Sequence, residues 1–123
     1  MAAHNFFETQ RKAVALRTVS LTTSSTNTTY TAKTGRVADN FVADAVINVT
    51  TTSGNSMTIT VPDGTYAGQT LLVSFVTEAN EETVDVTTTT GDDATQMTDD
   101  GGFWFGIWTD SVNGWQTTHY SAT

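Results

Sequence analysis

Side chains able to do chemistry are few in this chain and unevenly placed. It has two histidines, His4 and His119, and no cysteine. A hydroxyl nucleophile needs a histidine base and a carboxylate that orients it. Only His119 lies in the main body of the sequence, and no Gly-x-Ser-x-Gly elbow accompanies it. Neither common form of glycine-rich phosphate loop is present. The lack of cysteine excludes disulfides, thiolate metal sites and a thiol nucleophile. No catalytic residue is assigned, and the expectation is a protein that is not an enzyme and holds no cofactor.

The carboxylates offer more. Asp92-Asp93 and Asp99-Asp100 flank the segment "ATQMT". Paired carboxylates at the two ends of a loop supply the several oxygen ligands that Ca²⁺ requires. The spacing is not that of a helix–loop–helix calcium loop, and no glutamate closes it. The competing reading is a solvated acidic loop, since aspartate favours turns by bonding to its own backbone. A glycosidase acid–base pair would need one carboxyl held in an apolar site with a raised pKa, and nothing in the sequence marks one.

Aromatic residues form the third candidate group. Trp104, Trp108, Trp115 and Tyr120 cluster near the C-terminus. Exposed, they would make a flat stacking platform for sugars. Buried, they would be core or subunit interface. Burying a large apolar side chain stabilises by roughly 1.5–3 kcal/mol, and exposing several invites aggregation, so core or interface is expected. In "GGFWFGIW" the alternation of a strand puts Phe103, Phe105 and Ile107 on one face and Trp104, Gly106 and Trp108 on the other. Phe103, Phe105 and Ile107 are expected to fill the core. Trp104 and Trp108 are expected to pack under a neighbouring segment, either the chain's own last strand or another subunit, with Gly106 leaving room for a close approach.

The elements that must position these groups read as strands. "SMTITV" alternates Met57, Ile59 and Val61 against Ser56, Thr58 and Thr60, the pattern of a half-buried antiparallel strand. "AVINVTT" alternates as well. "TLLVSFVT" is apolar on both faces and reads as central. "TVDVTTTT" follows a charged turn. "FWFGIWT" and "GWQTTHYS" form a closing hairpin across "DSVNG", where Asn113-Gly114 supplies turn chemistry. Pro62 and Gly64 mark another turn. No internal repeat stands out in the sequence. Residues 4–17 fit either a short helix or an extended arm. About eight short strands predict an all-β, single-domain antiparallel β-sandwich or jelly roll. Residues 1–18 would be an N-terminal arm and 19–123 the body.

Composition supports this. Threonine supplies 28 of 123 residues and, being β-branched and half polar, suits the wet face of a strand. Charge is segregated along the chain. All five basic residues (Arg11, Lys12, Arg17, Lys33 and Arg36) lie in the first 36 positions, opposed there only by Glu8, a net +4. Residues 37–123 carry twelve acids and no Lys or Arg. Such a body repels its own kind, and the arm attracts an acidic partner or another copy's body. Nucleic acid is not an expected partner of an acidic body. No long apolar run suggests a signal peptide or membrane anchor, so a cytoplasmic setting, or a particle assembled in one, is expected. The sequons at Asn27 and Asn48 mean little without a secretory signal.

The run "MTITVPDGTYAGQTLLVSF" followed by "VNGWQTTHYS" resembles a pattern found in bacteriophage virion proteins. A strand ends in a Pro-Asp turn, a short Gly-Gln-Thr turn opens an apolar strand, and a Gly-Trp begins the terminal strand. The matching residues are Ile59, Val61, Pro62, Asp63, Gly68, Gln69, Thr70, Gly114 and Trp115, and the resemblance spans roughly residues 46–120. In size and habit the chain is similar to phage head decoration (cement) proteins. That resemblance implies a virion protein on the outer capsid surface, assembled in the host bacterial cytoplasm, bound to the major capsid protein and homo-oligomeric, a trimer being favoured. The same motifs occur in head- and tail-fibre domains, where the C-terminal aromatics would bind host glycans. The arm residues expected to dock on the capsid are Phe6, Phe7, Arg11, Lys12 and Arg17, chosen for their charge and apolar bulk.

Overall fold

The computed structural model describes residues 15–35, 42–91 and 94–121. Nine strands run through them: β1 (Ala15–Thr22), β2 (Thr29–Thr31), β3 (Val42–Thr50), β4 (Met57–Val61), β5 (Thr70–Thr77), β6 (Val84–Thr88), β7 (Thr95–Met97), β8 (Phe103–Trp108) and β9 (Trp115–Tyr120). No helix occurs among the described residues. Most of the helix-or-arm segment lies outside them, and its described end, Ala15 to Arg17, is strand.

The strands form two mixed sheets, one of five in the order β1-β3-β5-β8-β9 and one of four in the order β2-β4-β6-β7. The expected antiparallel arrangement needs correction. Four ladders, β1–β3, β2–β4, β3–β5 and β4–β6, are parallel. Only β5–β8, β6–β7 and β8–β9 are antiparallel. The first six strands alternate between the sheets, so each return to a sheet lands parallel to the strand laid down before. Val19 pairs with Ile47 and Ile47 with Val73, so successive returns use nearly equal lengths of chain. A structural period therefore exists where the sequence shows no obvious repeat.

Inward residues of both sheets meet in one core. Ile47, Val49, Leu71, Val73 and Phe75 come from the five-stranded sheet, and Met57, Ile59, Val61, Val84, Val86 and Met97 from the other. Their alternation with more exposed polar residues is the period-2 pattern that makes β4 and β6 half-buried. β5 sits in the middle of its sheet, which accounts for its apolar character on both faces.

Candidate functional site

The C-terminal aromatics reverse the expected faces of β8. Trp104 and Trp108 point inward with Trp115, and all three are buried. Phe103 and Ile107 point outward and are 37% and 41% exposed, and Phe105 shares their face, half-buried. Cross-strand pairing explains the choice. Trp108 lies opposite Trp115, and Trp104 lies opposite His119 on the edge strand. The rings of Trp104 and Trp115 stand 6.2 Å apart at 60°, and those of Trp108 and Trp115 stand 5.6 Å apart at 64°. The second of these is an edge-on contact, the arrangement favoured by the ring quadrupole. The Trp115 indole donates to the Pro62 carbonyl at 2.9 Å. Gly106 is the vacancy that admits the rings: a Cβ there would lie 2.6 Å from Cη2 of Trp104 and 3.0 Å from Cε3 of Trp115. The close approach expected at Gly106 is thus made by the chain's own tryptophans. Trp104, Trp108 and Trp115 belong to the chain's own buried core and present no exposed face for a sugar.

The hairpin that carries Trp115 is fixed by its loop. Asp110 accepts the backbone N–H groups of Val112 and Asn113 at 2.9 and 2.7 Å, and its bonds to Asn113, then that to Val112, hold its carboxyl below the usual range. Gly114 takes φ 71°, and a Cβ there would strike the Thr90 carbonyl at 2.2 Å.

A buried polar clasp joins the sheets at the start of the fold. Asp44, on β3, is 1% exposed. Its Oδ1 accepts from Nε of Arg17 at 2.6 Å. Its Oδ2 accepts from the Tyr30 hydroxyl at 2.7 Å and from the Lys33 backbone N–H at 2.9 Å. Arg17 Nη2 also donates to the Tyr30 hydroxyl at 3.1 Å. Arg17 and Asp44 belong to the five-stranded sheet and Tyr30 to the four-stranded one. Asp44 therefore ties three segments, and its charge is met by one guanidinium and two hydrogen bonds, as a buried carboxylate requires. The bond to Asp44 raises the pKa of Arg17 further, and burial raises that of Tyr30. Glu82 plays a similar part near the β3–β4 and β5–β6 turns. It accepts from the N–H of Gly54 at 2.9 Å, the N–H of Asn80 at 2.8 Å and the Thr51 hydroxyl at 3.2 Å. Burial pushes its pKa up, but these bonds outweigh burial and the net shift is downward.

The remaining sequence candidates are dispersed. Phe6, Phe7, Arg11, Lys12 and His4 lie outside the described residues, as do Asp92 and Asp93. Arg17 is engaged internally by Asp44. Asp99 and Asp100 sit at the turn before β8, where Asp99 Oδ1 accepts the Asp100 N–H at 2.9 Å. Glu78 reaches the same turn, and its hydrogen bond with Asp99 raises its pKa. No group of three or more His, Asp or Glu among the described residues is placed to hold a metal ion. His119 is exposed on β9. An open groove of about 460 Å³ runs past Thr31, Lys33, Thr34 and Asp63 at the ends of β2 and β4. It brings one cation and one carboxylate together with threonine hydroxyls, without a histidine or a further acid.

Sequence reasoning overlooked Asp44 and Glu82. A signal for Asp44 was present: in "VADAVINV" it is the one charged residue inside a largely apolar strand. Glu82 carried none, because "EANEE" reads as a solvated turn whichever glutamate folds inward.

No protein-family model matches the chain, and no curated protein matches it.

Proposed function

We propose that this chain is a non-enzymatic virion structural protein that binds the outside of a phage capsid and stabilises it, as head decoration proteins do. Its two sheets would be the layers of a β-sandwich, a rigid adhesive body, and the partner would be the major capsid protein. The N-terminal segment would dock on the shell, with Phe6 and Phe7 buried in the contact and main-chain pairing to an exposed sheet edge supplying affinity. Binding the assembled shell but not its free subunits would stabilise the shell by mass action, and many symmetric copies would add avidity.

The observation that carries this reading is the division of the chain: an acidic, threonine-rich body bearing the virion-like motifs, preceded by a segment with paired phenylalanines, Arg11 and Lys12. The placement of the tryptophans bears on the alternative. A fibre module stacking glycans on Trp104, Trp108 or Trp115 would need them at the surface, and all three are buried. The test is co-sedimentation of the full chain and of a chain lacking residues 1–14 with capsids of the phage that encodes it. The deletion stops before β1 so that the body is untouched. Binding by the full chain and loss of binding by a truncated chain of unchanged melting temperature is the expected result. Equal binding by both would overturn docking through the segment, and no binding by the full chain would overturn the decoration role.

A further inference from the structure

We propose that the outer face of the five-stranded sheet is a self-association surface on which a second copy of this chain packs face to face. The inference is independent of any role on a capsid. Register places three rows across this face: Thr18, Val46, Leu72, Phe105 and Thr118 in one, Ser20, Asn48, Ser74, Phe103 and Tyr120 in the next, and Thr70, Ile107 and Gln116 in the third. None of these residues is charged, in a chain of net charge −8. Three of its apolar members are exposed, Phe103, Ile107 and Tyr120 at 37%, 41% and 55%, and Val46, Leu72 and Phe105 are half-buried. Phe103 and Tyr120 already lie side by side, with ring centroids 6.1 Å apart. Depletion of charge with enrichment in aromatics distinguishes the centre of a protein interface from ordinary surface.

The outer face of the other sheet is more polar. Thr29, Thr58, Asp85 and Gln96 share one row, and Thr31, Thr60 and Thr87 share the next. Hydroxyls, an amide and a carboxylate cover it, and no large apolar side chain does.

Charge and area commit the surface to a second copy. Two chains of net charge −8 repel wherever carboxylates meet. The outer face of the five-stranded sheet is the sheet face where that repulsion is least. An uncharged, half-apolar face gives a charged partner nothing to pair with, and its complement is another face of the same kind. Five strands about 4.8 Å apart, the shortest of them six residues long, make a face of roughly 24 by 20 Å. Pairing two such faces buries about 1,000 Å², the lower bound of a specific interface and the size class of weak, transient association. The contact is isologous, so it generates a two-fold dimer and not the threefold assembly that the resemblance to decoration proteins implies.

Sedimentation velocity on the full chain, up to roughly 100 µM at physiological salt, tests this in the range where a micromolar Kd is visible. A reversible monomer–dimer equilibrium is expected. Ile107→Glu should weaken it at least about tenfold, because it sets a carboxylate of each copy in the uncharged contact. Thr118→Glu, on an exposed strand position, should do the same and decides the matter if the first variant does not fold. Thr58→Glu, on the opposite sheet, should leave the dimer unchanged. A strictly monomeric wild type, a trimer mass, or undiminished dimerisation of both face variants would overturn the proposal. So would a monomer that dimerises only after residues 1–14 are deleted, since that segment would then be the occupant of the face.

Discussion

Gly106→Ala is the sharpest probe of how β8 is oriented. In an ordinary strand this change is favourable by about 0.5–1 kcal/mol, because glycine loses more backbone entropy on folding than alanine. Here the added Cβ would meet Trp104 Cη2 at 2.6 Å, Trp115 Cε3 at 3.0 Å and Trp104 Cζ2 at 3.1 Å. Both rings are rigid and fully buried, so neither can swing into solvent. Overpacking of this kind costs about 1–3 kcal/mol. Set against the backbone gain, a net loss of about 1–2 kcal/mol is expected, a fall in Tm of roughly 3–10 °C for a domain of this size. Urea unfolding followed by tryptophan fluorescence measures it, since all three indoles leave the core together. Ile107→Thr, one position along and facing outward, should change stability by no more than about 0.5 kcal/mol at protein concentrations below self-association. A neutral or stabilised Gly106→Ala combined with a costly Ile107→Thr would refute the orientation and return the core face to Phe103, Phe105 and Ile107.

Further perturbations address the polar ties. Tyr30→Phe removes the hydroxyl bound to Asp44 Oδ2 at 2.7 Å. A hydrogen bond to a charged group is worth about 1.5–3 kcal/mol, and because Tyr30 is only half-buried the low end, about 1.5 kcal/mol, is expected by urea or thermal unfolding. Glu82 and Glu78 should give pH dependences of opposite sign. The pKa of Glu82 is lowered in the fold, so its stabilisation is present above the ordinary glutamate range and is lost as pH falls through the folded pKa; Glu82→Gln should be less stable than wild type at pH 7, with the gap closing in acid. The pKa of Glu78 is raised, first by its hydrogen bond with Asp99, so stability is lost as pH rises from its ordinary range through the folded pKa; Glu78→Gln should flatten that part of the wild-type profile in melting curves recorded between about pH 4 and 7.

Strand positions were legible in this sequence, and their partners were not. Met57, Ile59 and Val61 alternate with polar residues and stand buried as that pattern predicts. Alternation says which residues share a face; it says nothing of whether the neighbouring strand runs parallel. Parallel pairing here follows from β2 and β4 crossing to a second sheet before the chain returns, a long-range choice. One trace of it is local: Ser24 bridges Asn27 at the β1–β2 turn, and Thr52 bridges Asn55 at the equivalent β3–β4 turn, one return later. The same limit explains β8. "FWFGIW" is apolar at both parities, so alternation alone cannot tell its inner face from its outer one. Gly106 held the answer, because a glycine between two tryptophans of one parity makes space on the tryptophan side. The clasp was harder still, since Arg17 and Asp44 are far apart in sequence and meet only through the β1–β3 register.

The clasp also redistributes the charge that suggested a basic arm. Arg17 is paired with the buried Asp44 while its own side chain stays 39% exposed, and Lys33 and Arg36 follow β2, not the N-terminus. What precedes β1 carries only Arg11 and Lys12 against Glu8. Among the acids, Asp44, Glu82 and Asp110 each accept backbone N–H groups, so part of the acidic composition serves to hold strand ends and turns together. The contrast between basic arm and acidic body is therefore shallower in the folded chain than along the sequence. In the proposed docking, residues 1–14 would then draw chiefly on Phe6, Phe7 and the main chain, with charge left to steer the encounter. The same reasoning applies to the outer sheet face. Where the carboxylates are drawn to turns and strand ends, an uncharged face is what remains for one copy to offer another.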